Sequence, residues 1–198
     1  MTKGKLKKIE IGIEKRPDIF ENQVNSKSVF LALGSNLDSK FGSKLKNLEI
    51  AQLLIISENI DIIDRSSYYE TLSYPNKEEP KFVNCVIKIN TKLTPMNLLN
   101  LILNIEKKIG RTRKKIKKNE PRVCDIDIID YKGKLIRSTN NSNLTIPHKF
   151  LHQRHFVLIP LAEICPGWIH PKFGTKIDFM LNKLNTADLN SVKKICNE

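Results

Sequence analysis

Hydrophobic residues change period several times along this chain, and each change marks an element. Val29-Phe30-Leu31-Ala32-Leu33 is an unbroken apolar run closed by Gly34-Ser35-Asn36, which predicts a strand ending in a turn. Residues 44–57 place Leu45, Leu48, Ala51, Gln52 and Ile55 at helical spacing. Ile60–Thr71 is rich in β-branched and aromatic residues and reads as strand. Lys81–Asn90 alternates, with Val83, Cys85, Ile87 and Ile89 on one face and Phe82, Asn84, Val86 and Lys88 on the other. The loop between these strands, from Leu72 to Pro80, carries Ser73, Pro75, Asn76 and Pro80. A second helix follows. Thr94 caps it, Pro95 suits its first position, Leu98, Ile102, Ile105 and Ile109 form its stripe, and Gly110 stops it. Val123–Asp130 returns as a strand.

The order β, α, β, β, α, β predicts an α+β fold of the ferredoxin-like kind. Its antiparallel sheet carries two helices on one face and leaves the other free for loops and ligands. Residues 134–198 add C-terminal pieces. Phe156–Ile159, leading to Leu161 and Ile164, reads as strand or helix, and we expect a short helix after Arg154. Residues 1–28 show no sustained period and are expected to form a flexible N-terminal extension, with one domain over 29–175 and a tail over 176–198.

Composition narrows the picture. A chain of 198 residues suits one domain large enough to bury a core without disulfides or structural metal. No apolar stretch approaches the ~18 residues that span a bilayer. The four cysteines, at 85, 124, 165 and 196, form no CxxC pair, which excludes zinc-ribbon and thioredoxin-like motifs and suits reduced cytosolic thiols. The first residues lack the apolar run of a secretory signal and are too acidic for a typical transit peptide, so a cytoplasmic location is expected. The formal charge of +13 is uneven: residues 107–122 hold nine basic side chains and one acidic one. Such a segment attracts phosphate, nucleotide or nucleic acid, although a solvated lysine-rich loop has the same composition.

Asp125 and Asp127 are the sharpest chemical feature. They flank Ile126 in an apolar strand, so both carboxylates point one way, about 7 Å apart, while Ile126 and Ile128 point the other. The pair reads equally as a solvated strand face or as a site for a hard divalent cation that relieves the repulsion. Arg122 and the basic segment beside it favour the second reading, because a polyphosphate bridges metal and guanidinium groups. Arg111, Arg113 and Arg122 are better clamps than the intervening lysines, since a guanidinium binds phosphate bidentately. There is no phosphate-cradling Walker loop. His148 is a candidate donor to a phosphate or sugar oxygen, but a lone histidine is more often structural. Asn84 and Phe82 share the polar face of their strand, where an amide pairs with a heterocycle edge and an aromatic ring stacks on it.

Taken together, Leu33-Gly34-Ser35-Asn36, Ser66 to Thr71, Phe82-Val83-Asn84, Glu106 with Gly110-Arg111-Thr112-Arg113, Pro121 to Ile128, Pro147-His148, Arg154 to Leu158 and Pro160 to Ile164 occur in the order seen in a known family. Over about residues 29–171 the chain resembles 6-hydroxymethyl-7,8-dihydropterin pyrophosphokinase, an enzyme of folate biosynthesis. The resemblance implies a ferredoxin-like fold and transfer of a pyrophosphoryl group from ATP to the hydroxymethyl oxygen of a reduced pterin. It also implies two Mg²⁺ ions on Asp125 and Asp127, and Arg111 and Arg122 acting on the transferring group. Glu106, Arg113, Ile128, Thr145, His148 and Arg154 then belong to the ATP site, and Thr71, Leu72, Tyr74, Phe82, Asn84 and Phe156 to the pterin site. The family usually has a Trp where this chain has Asn119. A catalytically impaired relative and an RNA-binding module are the rival readings. The latter fits poorly, because the Lys81–Ile87 strand lacks the Gly and aromatic series of an RNA-binding strand. We expect a monomer with small-molecule substrates and neither nucleic-acid nor membrane partners.

Overall fold

The structure, a computed structural model, describes residues 28–73, 76–112, 120–139 and 144–195. The predicted extension, bar Ser28, and Tyr74, Arg113, Asn119 and Cys196 lie outside these residues. The order is β1 (Val29–Ser35), α1 (Lys44–Ser57), β2 (Asp61–Arg65), β3 (Tyr69–Thr71), β4 (Phe82–Asn90), α2 (Pro95–Ile109), β5 (Asp125–Tyr131), α3 (His155–Ile164), α4 (Ile177–Leu181), α5 (Thr186–Asn190) and β6 (Lys193–Lys194).

One sheet runs β5-β1-β4-β3-β6, with β2 pairing to β4 on the same flank as β3. All its pairings are antiparallel. The predicted strand over 60–71 is therefore two short strands on one edge of β4. The break has a tertiary cause: Ser66 N donates to Val86 O (2.9 Å) while Ser66 Oγ accepts from Val86 N (2.9 Å). Beside it, Glu163 of α3 accepts from Ser67 N (2.8 Å) and Ser67 Oγ (2.7 Å). Glu163 also accepts from Tyr69 OH (3.0 Å) and Lys194 Nζ (3.1 Å), which ties α3 to β3 and β6. Burial pushes its carboxyl up, but these donors outweigh burial and hold it below the ordinary glutamate value.

The helices begin and end where local chemistry dictates. Ser43 Oγ caps α1 by accepting from Lys46 N, and Thr94 Oγ1 caps α2 by accepting from Asn97 N. Gly110, at φ 109°, takes the left-handed conformation that closes α2. Leu48, Ala51 and Ile55 of α1 and Leu98, Ile102, Ile105 and Ile109 of α2 pack on Val29, Leu31 and Leu33 of β1, with Cys85, Ile87 and Ile89 of β4.

The second sheet face is not free, contrary to the sequence expectation. Phe30, Ala32, Val86 and Ile129 project from it and are covered by Leu151, Val157, Leu158 and Leu161, with Trp168, Ile177 and Met180. Apolar side chains on both faces of β1 demand cover on both, and α3, the expected helix, supplies it. Residues 176–195 are built into the fold: Ile177 and Met180 are buried, and β6 lies on β3. Asp130, fully buried on β5, accepts from Trp168 Nε1 (2.8 Å) and Gly133 N (3.0 Å) and so anchors this cover. Among the described residues, the end of this face around Gly34, Asn84 and Asp125 lines a cavity.

Candidate active site

The cavity, of about 560 Å³, is organised by β1. Gly34 pairs with Asn84 of β4 on one side and Asp125 of β5 on the other, and Ala32 pairs likewise with Val86 and Asp127. Two small residues thus form a floor, with an amide along one flank and two carboxylates along the other. The predicted alternation of β5 holds: Ile126 and Ile128 enter the helix-side core, while Asp125 and Asp127 line the cavity.

Thr71, Leu72, Phe82 and Asn84 wall the amide end, and Phe156 lines the same cavity beside Arg154. Asn84 is buried, and its Nδ2 donates to Thr71 Oγ1 (2.8 Å). A Cβ on Gly34 would stand 2.9 Å from Asn84 Oδ1 and 3.5 Å from the Phe82 ring, so the amide sits close over the bare backbone. The Arg122 guanidinium lies 5.2 Å from the Phe82 ring centroid, and that of Arg154 lies 5.6 Å from Phe156.

The charged end pairs every carboxylate with arginine. Asp125 accepts from Arg111 Nη1 (2.5 Å) and pairs with Arg122 Nη2 (2.7 Å). Asp127 accepts from Arg154 Nη1 (2.9 Å), and His148 Nε2 stands 3.9 Å from the same oxygen. Glu106, buried in the last turn of α2, pairs with Arg111 Nη1 and accepts from Ile126 N (2.9 Å). It links the helix, the strand and the arginine. Burial pushes the Asp125 carboxyl up, but Arg122 and Arg111 outweigh burial and leave it below the usual carboxylate range. Arg111 responds in the opposite sense: burial works against its charge, yet Asp125 and Glu106 raise its pKa. Burial, with Arg154, pushes His148 below the ordinary histidine value against the pull of Asp127, so the ring is neutral near pH 7. Its Nδ1 accepts from Phe150 N (3.3 Å), which puts the proton of the neutral ring on Nε2.

Nine of the sequence candidates line this one cavity: Thr71, Leu72, Phe82, Asn84, Arg122, Asp125, Asp127, Arg154 and Phe156. Arg111 and His148 reach it through the two aspartates, and Glu106 stands behind Arg111. The side chains of Ile128, in the core, and Thr145, half-buried, are not on its wall. The wall also contains Gly34, Phe150, Gln153 and His155, which the sequence reading assigned no role at the site. A glycine inside a strand pattern was the available signal for Gly34. The others sit in a turn, a single 3-10 turn over Leu151–Gln153 and the first turn of α3, with no distinctive period.

The sequence profile of the family described as 7,8-dihydro-6-hydroxymethylpterin-pyrophosphokinase (HPPK) matches residues 30–166. The chain belongs to this family. Among HPPK relatives, the 2-amino-4-hydroxy-6-hydroxymethyldihydropteridine pyrophosphokinase of Methylorubrum extorquens is 36% identical over 164 residues, covering 83% of this chain and 98% of that protein. The Folic acid synthesis protein FOL1 of Dictyostelium discoideum is 36% identical over 165 residues, 83% of this chain. The chain spans only about a quarter of the length of that relative, 24%. The same fold occurs in the crystal structure of Plasmodium falciparum HPPK-DHPS. The TM-score is 0.62 at 18% identity, covering 85% of this chain and 47% of that one. Ferredoxin-like topology, predicted from element order, is thus the topology of HPPK.

Proposed function

We propose that the chain transfers the pyrophosphoryl group of ATP to the hydroxymethyl oxygen of 6-hydroxymethyl-7,8-dihydropterin, giving AMP and the pterin diphosphate for folate biosynthesis. One observation carries this reading: a single strand, β1, sets an amide-and-aromatic recess and an arginine-braced carboxylate pair on opposite flanks of one cavity. A flat, hydrogen-bonding ring and a polyphosphate, brought together, need that arrangement.

The donor set fits Mg²⁺. Asp125 and Asp127 offer hard oxygens on one strand face, and among the described residues no group of three or more His, Cys, Asp or Glu side chains is placed to cage an ion. Magnesium accepts one or two carboxylates and fills its remaining positions with water and phosphate oxygens. We assign two ions to this pair, and their contribution is to neutralise charge on the polyphosphate.

The chain's own residues do the rest. Phe82 and Phe156 hold the pterin ring by stacking, and Asn84 reads its polar edge from the position that Thr71 fixes. The pterin hydroxyl oxygen forms its bond to the β-phosphorus and releases its proton to solvent water. The bond from that phosphorus to the oxygen bridging it to the α-phosphorus breaks, and AMP departs with that oxygen. Arg122 brings a buried Nε that has no hydrogen-bond partner among the described residues, a donor left for a substrate oxygen. Arg111, braced by Glu106, and Arg154, beside Asp127, stabilise the charge that spreads over the transferring group. His148 gives a neutral N–H donor. Arg113 and Tyr74, outside the described residues, are assigned to the ATP and pterin sites, with Ile128 and Thr145 beside the nucleotide.

On this reading residues 29–175 form the pyrophosphokinase domain, preceded by an extension and followed by the C-terminal segment. The chain works as a monomer in the cytoplasm. The buried free thiols of Cys85, Cys124 and Cys165 support a reducing compartment. The test is an AMP-coupled assay with ATP, Mg²⁺ and the reduced pterin alcohol. AMP and pterin diphosphate are expected in equal amounts. No AMP with all three present overturns the activity, and retained binding of both substrates in that case favours the impaired relative.

A further inference from the structure

Asn36 follows β1, is buried, and does not line the cavity, yet it bonds to both chain segments that flank it. Its backbone N donates to Arg122 O (3.1 Å), and its side-chain Oδ1 accepts from Arg122 N (2.6 Å). Its Nδ2 donates to Pro80 O (3.2 Å), which also accepts from Ser73 Oγ (2.6 Å). Arg122 and Pro80 both lie outside the helices and strands, so no ladder fixes their backbones. Arg122 in turn pairs with Asp125 and lies over Phe82. Pro80 closes the segment between Leu72 and Phe82, two walls of the amide end.

Resting on the pyrophosphokinase reading, we propose that Asn36 is a positioning residue: its one amide holds Arg122 toward the transferring phosphate with its oxygen and sets the pterin recess, through Pro80, with its nitrogen. The chemistry requires a side chain that accepts and donates at once from one short stem. Aspartate accepts only, and alanine does neither. A buried donor or acceptor that loses its partner is costly, which is why each half of the amide has a separate effect.

The experiment compares Asn36→Ala with Asn36→Asp, alone and combined with Arg122→Ala, reading kcat and the pterin KM separately. Asn36→Asp keeps the acceptor for Arg122 N and turns an oxygen toward Pro80 O. Asn36→Ala is expected to lower kcat about tenfold and to raise the pterin KM severalfold. Asn36→Asp should restore kcat to within about threefold of the parent while the pterin KM stays raised. In the Arg122→Ala background, Asn36→Ala should cost little further kcat, because the group it positions is gone. Full additivity in the double variant overturns the proposal. So does a folded Asn36→Asp whose kcat stays low, or one whose pterin KM returns to the parent value. Should Asn36→Ala not fold, the split in Asn36→Asp decides alone. An inactive parent chain refutes the activity itself, which separates the two failures.

Discussion

Gly34→Ala probes the floor of the site with one methyl group. The added Cβ would lie 2.9 Å from Asn84 Oδ1 and 3.5 Å from the Phe82 ring, where unstrained contact begins at 3.4 Å. Gly34 lies in the strand ladder between β4 and β5 and has no positive φ, so alanine meets no backbone strain. The amide must therefore retreat by about half an ångström. Asn84 is not free to do so at no cost, because its Nδ2 is held by Thr71 Oγ1 at 2.8 Å. Weakening that bond costs the free protein about 1 kcal/mol, and the displaced amide loses about 1–2 kcal/mol of its hydrogen bonding to a bound pterin. The second loss predicts pterin affinity falling roughly 5- to 30-fold. Global stability should barely move, since a Gly→Ala change gains about 0.4–1 kcal/mol by restricting the unfolded chain. Calorimetric titration of the pterin into protein loaded with Mg²⁺ and a non-hydrolysable ATP analogue measures the first quantity, and thermal unfolding the second. Pterin affinity within twofold of the parent, or an equal loss of nucleotide affinity, would refute the geometry claimed for this floor.

Three further outcomes are expected. Asp127→Ala should cut AMP formation at least about 100-fold while circular dichroism stays native, and normal turnover would remove this carboxylate from the mechanism. His170 is buried, stacked on Phe173 at 4.4 Å, and pushed down to about 4 by burial and then by His152. Between the ordinary histidine value near 6.5 and about 4 the unfolded chain takes up a proton that the folded chain refuses, so stability falls as pH drops through that window. Urea midpoints should show this fall, with His148 contributing in the same direction, and His170→Phe should flatten it; an unchanged slope would refute the assignment. Burial raises the thiols of Cys85 and Cys165 to about 12 and lifts Cys124 as well. Mass mapping should therefore find all three unlabelled at pH 8 until the chain unfolds, and rapid native labelling would contradict their burial.

The elements legible in the sequence were those whose signals are local. Thr94, Pro95 and Gly110 mark both ends of α2 within a span of seventeen residues. The alternation of β5 already put Asp125 and Asp127 on one face. The break between β2 and β3 was not legible, because Ser67 is held by Glu163, 96 residues away in sequence. The covered second face had left a trace that the expectation of a free face passed over: Val29 to Leu33 is apolar at every position, as a strand buried on both sides must be. Glu106 matched the family pattern, but only the fold shows that it braces Arg111 and the β5 backbone instead of lining the cavity. Asn36 looked like turn punctuation, since its partners Pro80 and Arg122 lie 44 and 86 residues away.

The rim of the sheet has its own consequence. β6 contributes only Lys193 and Lys194, both exposed, and these cover the outer edge of Tyr69 and Glu70. An uncapped β3 would present bare amide and carbonyl groups as a template for a foreign strand, next to the very residues that wall the cavity. Two like charges on a strand too short to be extended make a poor template. The chain thus guards this border of the sheet against stacking and fibre growth, and Glu163 moors the guard from the neighbouring helix.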